Sequence, residues 1–255
     1  MIIDTHAHLY YPDLSANIEN ILDISSEKGV KKIIVPAVDL KTAETVLKMA
    51  AKYNEIYAAI GFHPGDLKEH TINDLKYLEN YLKEDKVIAI GEIGLDYYWD
   101  KTEINKQKNF FSEQLDIAIE YNLPVIIHTR ESVADAIEII SQKKSESLKG
   151  QFHCFSGNHQ NLENILKLYN FYVSYCGNIT YKNYKDTELV KNTPKERILF
   201  ETDSPFLPPM PFRGKINQPE YLIHTINKIA EIRQVDSAEL IKIVYNNTLN
   251  LFKLN

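Results

Sequence analysis

Long apolar runs are missing from this chain: the roughly 18 consecutive apolar residues needed to cross a bilayer occur nowhere, although hydrophobic residues make up 44% of the whole. The start, Met1-Ile2-Ile3-Asp4, lacks the basic stretch that opens a secretory signal and reads directly as a strand. A cytoplasmic location with no membrane association is therefore expected. Cysteine is scarce too. Cys154 and Cys176 offer neither a C-x-x-C spacing nor a disulfide framework, and both read as small buried apolar residues within predicted strands. An excess of positive charge is also absent, since 29 Lys and Arg face 35 Asp and Glu for a net charge of −6. That balance argues against broad, non-specific adhesion to nucleic acid but allows a local basic rim. No Gly-rich phosphate turn follows the first strand, where His-Ala-His-Leu-Tyr-Tyr-Pro stands instead. An open, doubly wound nucleotide-binding sheet is disfavoured accordingly.

What is present is a regular alternation. Short apolar, β-branched runs recur at Ile2 to His8, Lys32 to Val38, Ile56 to His63, Val87 to Ile93, Val125 to Arg130, Gln151 to Phe155, Phe171 to Tyr175 and Ile198 to Asp203. Amphipathic segments fill the intervals. In Thr71 to Leu82, Thr71 and Asp74 resemble a capping box, and Ile72, Leu75, Leu78 and Leu82 form one helical stripe. Eight strand–helix repeats in 255 residues predict an α/β fold of one domain over residues 1–255, a single (β/α)8 TIM barrel. An extra C-terminal helix, about Ser237 to Phe252, carries Leu240, Val244, Thr248 and Leu251 at helical spacing and is expected on the barrel exterior. The Pro-rich stretch Ser204 to Pro211 follows the eighth strand and reads as a rigid loop at the barrel mouth.

The chemistry-bearing residues gather at one end of these strands. Asp4-Thr5-His6-Ala7-His8 closes the first run, and alternation along a strand would aim His6 and His8 the same way. Glu92, His128, His153 and Asp203 follow later apolar runs, at the end where barrels place their active sites. A single strand-end histidine is usually a surface or satisfied residue, and His70, His159 and His224 are read so. Repetition sets the other six apart, and four histidines with two carboxylates suffice for two divalent ions. The first and eighth strands of a closed barrel are neighbours, which groups His6, His8 and Asp203 around one ion. His128 and His153 would hold the other, with Glu92 placed to bridge them.

These residues sit in phrases that resemble the TatD family of metal-dependent hydrolases within the amidohydrolase superfamily. The phrases are Asp4-Thr5-His6-Ala7-His8, Gly61-Phe62-His63-Pro64, Gly91-Glu92-Ile93-Gly94-Leu95-Asp96-Tyr97, Ile127-His128-Thr129-Arg130, His153-Cys154-Phe155-Ser156-Gly157, Glu201-Thr202-Asp203-Ser204-Pro205, and Arg213-Gly214 with Asn217 and Pro219. They span nearly the whole chain in order. The resemblance implies a TIM barrel, a divalent-metal centre and phosphodiester hydrolysis, described for the family as deoxyribonuclease or 3′ exonuclease activity. It also implies that Asp203 accepts a proton from the attacking water. Relatives acting on cyclic amides, lactones or phosphotriesters commonly bridge their metals with a carboxylated lysine, so Glu92 favours the TatD branch.

Around the ligand set, His63 shares the rim and can touch a phosphate or leaving group. The family often carries another histidine two places later, where this chain has Gly65. Arg130 and Arg213 suit phosphate oxygens, the alternative for each being a surface salt bridge. Glu201 lies on the same strand face as Asp203 and can bind a further ion, hold a water, or support the ligands, with a supporting or substrate-facing role favoured. Tyr97, Tyr98 and Trp99 can stack on a base or simply pack within their loop. The leading functional expectation is an exonuclease on single-stranded or frayed DNA, with two divalent ions (Mg, Mn or Zn) and no obligate protein partner. The alternative is a carboxylic ester or amide hydrolase such as an aminoacyl-tRNA deacylase. A non-catalytic scaffold would predict erosion of the ligand set, and none is missing.

Overall fold

β-Branched and aliphatic runs with little side-chain freedom favour extended backbone, and eight of them form strands here: β1 (Ile2–Asp4), β2 (Val30–Pro36), β3 (Ile56–Ile60), β4 (Val87–Asp96), β5 (Val125–Arg130), β6 (Gly150–Phe152), β7 (Phe171–Tyr175) and β8 (Ile198–Phe200). The structure is a computed structural model that describes residues 1–99 and 101–254. Consecutive strands pair in parallel in the order β1 to β8. Thr5 N donates to Phe200 O at 3.0 Å and His8 N to Ser204 O at 2.7 Å, so the chain just beyond β1 zips to β8 and its following loop. The protein is thus a (β/α)8 barrel, as expected.

Alternating strand residues divide between two cores. Ile33, Val35, Ala58 and Ile60 pack outward against helix residues such as Val46, Phe110 and Leu115. Ile3, Ile34, Ala59, Ala89, Ile126 and Leu199 form an inner cluster with Leu251, Phe252 and Leu254. This corrects one expectation. The final helix, Ser237–Phe252, does place Leu240 and Val244 on the outer core, but its last residues plug the barrel. Asn247 Nδ2 donates to the carbonyls of Lys195 and Ile198 at 2.8 and 3.0 Å, fixing that plug at the N-terminal end of β8.

Two further expectations change. Thr71 and Asp74 do form the capping pair, yet the segment Ile72–Asn80 winds as a 3₁₀ helix. Leu75 and Leu78 are three apart, which keeps one face in that tighter turn, whereas Ile72 is 42% exposed. Cys154 and Cys176 form a disulfide. They lie just past the ends of β6 and β7, adjacent strands, so topology rather than sequence spacing brings them together. Among the described residues, no helix is long and apolar enough to cross a membrane.

Candidate metal centre

The histidine pair is positioned by a slip in the first strand. Ile3 packs inside the barrel, so strict alternation would aim Thr5 inward and His6 outward. The chain instead leaves β1 after Asp4, and Ala7 makes an isolated parallel bridge with Ser204. His6 and His8 flank that bridge with their Nε2 atoms 3.1 Å apart. Asp4 holds the seam, accepting from Thr202 N at 3.0 Å and Thr202 Oγ1 at 2.6 Å. The predicted strand to His8 therefore overshoots, although the pair converges as expected.

Glu92 owes its aim to a second irregularity. Between Ile90 and Ile93 the pairing of β4 with β5 gains one residue, since Ile90 meets Val125 and Ile93 meets Ile127. One extra residue reverses the side-chain alternation, and Glu92 joins Ala89 in facing inward. Two glycines permit this path. A Cβ on Gly91 would lie 2.8 Å from Ile126 Cβ, and Gly94, at φ +140°, would put one 2.0 Å from the His128 carbonyl oxygen.

The donor atoms fall into two groups that share Glu92. Its Oε2 lies 3.3 Å from His6 Nε2 and 3.4 Å from His8 Nε2, and Asp203 Oδ1 is 3.7 Å from each of those nitrogens. Its Oε1 lies 2.9 Å from His153 Nε2, 3.0 Å from His128 Nδ1 and 3.6 Å from His63 Nε2. Ligands about 2.0–2.1 Å from a tetrahedral ion stand about 3.3 Å from one another. Both groups have that spacing and the imidazole–carboxylate chemistry of transition-metal sites. His63 thus comes closer to the ligand set than a purely substrate-facing residue would.

Partners behind the donors orient them. His128 Nε2 lies 3.0 Å from Asp96 Oδ2, and Asp96 Oδ1 accepts from Tyr98 N and Trp99 N at 2.9 and 3.0 Å. His8 Nδ1 lies 3.1 Å from Tyr10 Oη. Glu201 is 0% exposed. It accepts from Cys154 N at 2.6 Å, Ser174 Oγ at 2.7 Å and Gln151 Nε2 at 2.8 Å, with His153 Nδ1 3.5 Å away. Of the roles expected for Glu201, this enclosure beneath His153 fits support of the histidine and leaves its carboxylate no open face for substrate.

Asp96 and Tyr10 escaped the sequence reading as functional candidates, as did two glutamines of the helix Ile104–Glu120. Gln107 exchanges two hydrogen bonds with the backbone of Asp96, at 2.8 and 3.0 Å, and Gln114 does the same for Phe62, at 2.7 and 3.2 Å. The available signal was a pair of glutamines seven residues apart on the face that carries Phe110, Phe111 and Leu115.

Electrostatics sort the donors by charge. Burial, aided by neighbouring His6, pushes His8 down to about 3, and burial with His153 also lowers His6. Burial works to raise Glu92, but His153, His6 and His63 outweigh it and hold the carboxyl well below its usual range. Burial pushes Asp203 up to about 8, His153 opposing and Glu201 and Glu92 reinforcing. For Asp96 burial is outweighed by His128 and the loop N–H groups, which bring it to about 2.

The rim arginines are held by rings. The Arg130 guanidinium lies 3.8 Å from the Tyr98 ring centre and 5.3 Å from that of Trp99, and Arg213 lies 4.8 Å from that of Tyr181. Among the described residues neither guanidinium forms an ion pair with a carboxylate, so the salt-bridge alternative is not realised. His70 approaches Asp74 at 3.7 Å, and His224 packs on Phe212, in keeping with their structural reading.

A family model described as TatD related DNase matches residues 3–253. The chain belongs to the TatD family. The uncharacterized metal-dependent hydrolase YabD of Bacillus subtilis strain 168 is 40% identical over 256 residues, covering 100% of each chain. YjjV of Escherichia coli strain K12, also described as an uncharacterized metal-dependent hydrolase, is 35% identical, covering 99% of this chain and 98% of its own. The crystal structure of YjjV, a TatD homologue, matches with a TM-score of 0.95 at 34% identity, over 100% of this chain and 98% of that one. A TatD-family hydrolase from Entamoeba histolytica shares the fold, with a TM-score of 0.86 at 23% identity over 98% of this chain and 97% of that one. This TatD-family protein is a metal-dependent hydrolase, and its two donor groups fit that dependence.

Proposed function

We propose that the protein hydrolyses phosphodiester bonds, as a deoxyribonuclease that removes nucleotides from the 3′ end of single-stranded or frayed DNA. The observation that carries this reading is the pair of rim arginines, Arg130 and Arg213, whose charges are steadied by tyrosine faces and, among the described residues, not spent on carboxylates. A guanidinium bound by its face keeps its N–H edge available to a phosphate. A neutral ester has no use for two such groups. The ligand atoms lie deep, with His6 and Glu92 buried, which suits a strand end better than the middle of a duplex.

His6, His8 and Asp203 would hold one divalent ion, His128 and His153 a second, with Glu92 between them; Mg, Mn and Zn are the candidates. Such ions supply Lewis acidity toward a phosphoryl oxygen and acidify water. Asp203 acts in its ionised form, which the charge of a bound ion would favour against the burial that raises it, and accepts the proton of the attacking water, whose oxygen forms the new P–O bond as the bond to the leaving nucleotide oxygen breaks. Arg130 and Arg213 bind non-bridging phosphate oxygens, and His63 stands near the leaving group. The test is an activity panel on metal-reconstituted protein with single-stranded DNA labelled at either end, RNA, aminoacyl-tRNA and simple esters. Release of mononucleotides from the 3′ end of DNA is expected. Turnover of esters or aminoacyl-tRNA with no cleavage of DNA would replace this reading with its carbonyl rival.

A further inference from the structure

Two large aromatic residues stand in solvent beside the metal centre, Tyr98 at 51% and Trp99 at 72% exposure. Exposed neighbouring aromatics carry a solvation cost that ordinary loop packing removes, and here packing leaves it in place. Their rings are perpendicular, 87° apart with centres at 5.0 Å, and the Arg130 guanidinium lies against the Tyr98 face. The loop is not adrift. One oxygen of Asp96 accepts from Tyr98 N and Trp99 N while the other meets His128 Nε2 at 3.0 Å. A single buried carboxylate therefore ties the aromatic pair to an imidazole of the ligand set, and Gln107 grips the backbone of that same Asp96.

We propose that Trp99, with Tyr98 and Arg130, forms a base-stacking subsite that receives an unpaired nucleotide of single-stranded nucleic acid next to the scissile phosphate. This inference rests on the phosphodiester reading above. Stacking recognises the π face that every base has, so the subsite tolerates any sequence and demands only that the base be unpaired. Arg130 adds a donor edge for the phosphate attached to the stacked nucleotide. Asp96 sets the distance from that nucleotide to the metals.

Trp99 is the sole tryptophan of the chain, so its fluorescence reports directly on the subsite. Holoprotein titrated with a phosphorothioate-linked oligothymidylate should show saturable quenching. An abasic chain of equal length and linkage, or a blunt duplex, should not. In kinetics, Trp99→Ala should raise KM for single-stranded DNA about tenfold with kcat nearly unchanged, and Trp99→Phe should recover most of the loss. Cleavage of the abasic chain should be the same for all three proteins, which a general structural defect would not allow. Equal quenching by the abasic chain, or an unchanged KM for Trp99→Ala, overturns the subsite. If the wild type cleaves no DNA, the phosphodiester reading fails on its own account, and the titration still decides whether bases stack on Trp99.

Discussion

Glu92 is the residue whose chemistry is least replaceable, because each of its oxygens faces a different histidine pair within 3.4 Å. In Glu92→Gln one oxygen becomes an NH₂ donor aimed at a cation. The variant should fold, since only this buried polar site changes, but lose at least one bound ion and most activity; metal analysis beside circular dichroism checks both halves. Asp203→Asn separates binding from chemistry. An amide cannot take a proton from water, so kcat should fall far more than KM rises, and a loss confined to KM would remove the general-base role. Asp96 acts one step further out, by orienting His128. If the donor groups each hold an ion as proposed, Asp96→Asn should weaken metal binding at the His128 group about 10- to 100-fold, the usual cost of losing a partner behind a ligand, while sparing the His6–His8 group. A competitive chelator titration that finds two unequal sites in the variant would bear this out.

At the scale of elements, function depends on irregularities set into a regular barrel. The one-residue bulge in β4 and the slip after β1 turn Glu92, His6 and His8 inward. The helix Ile104–Glu120 then pins the rim, because Gln107 and Gln114 satisfy backbone groups at Asp96 and Phe62 that a loop would otherwise leave bare. Gln107→Met keeps the volume but strands a buried donor and a buried acceptor at about 1–3 kcal/mol each, so about 2 kcal/mol or more of stability should go. Phe252→Ala in the barrel plug should cost about 3–5 kcal/mol. Only the Gln107 variant should also weaken metal binding, because only Gln107 holds Asp96. If both variants bind metal equally well, the rim helix supports stability alone. This division also marks what the sequence made legible. All eight strands, and the histidines and carboxylates that gather at their ends, could be read from apolar runs and the residues that close them, since those follow from burial and from ordinary strand geometry. The bulge, the slip, the Cys154–Cys176 pairing and the glutamine clamps could not. Each depends on which backbone lies opposite, which local periodicity does not record.

At the scale of the whole molecule, the question is how a chain with a net charge of −6 would engage a polyanion. Long-range attraction cannot supply the affinity, so phosphate binding must come from a few local cations around the barrel mouth. Arg213, exposed and resting on Tyr181, is the clearest of these. If it contacts a DNA phosphate, Arg213→Ala should reduce kcat/KM on single-stranded DNA by an amount equivalent to about 1.5–3 kcal/mol, as for a charge-assisted hydrogen bond. A small neutral ester should be almost unaffected, since it has no phosphate for the guanidinium to hold. Salt adds an independent readout. Each phosphate contact on a single strand contributes about 0.7 to the slope of log affinity against log salt, so the variant's dependence should be shallower by about that amount. The measurement is kcat/KM for wild type and variant on both substrates across a salt series. Equal losses on DNA and ester with an unchanged salt slope would mean that Arg213 stiffens its loop through Tyr181, and the anionic substrate would lose its principal support.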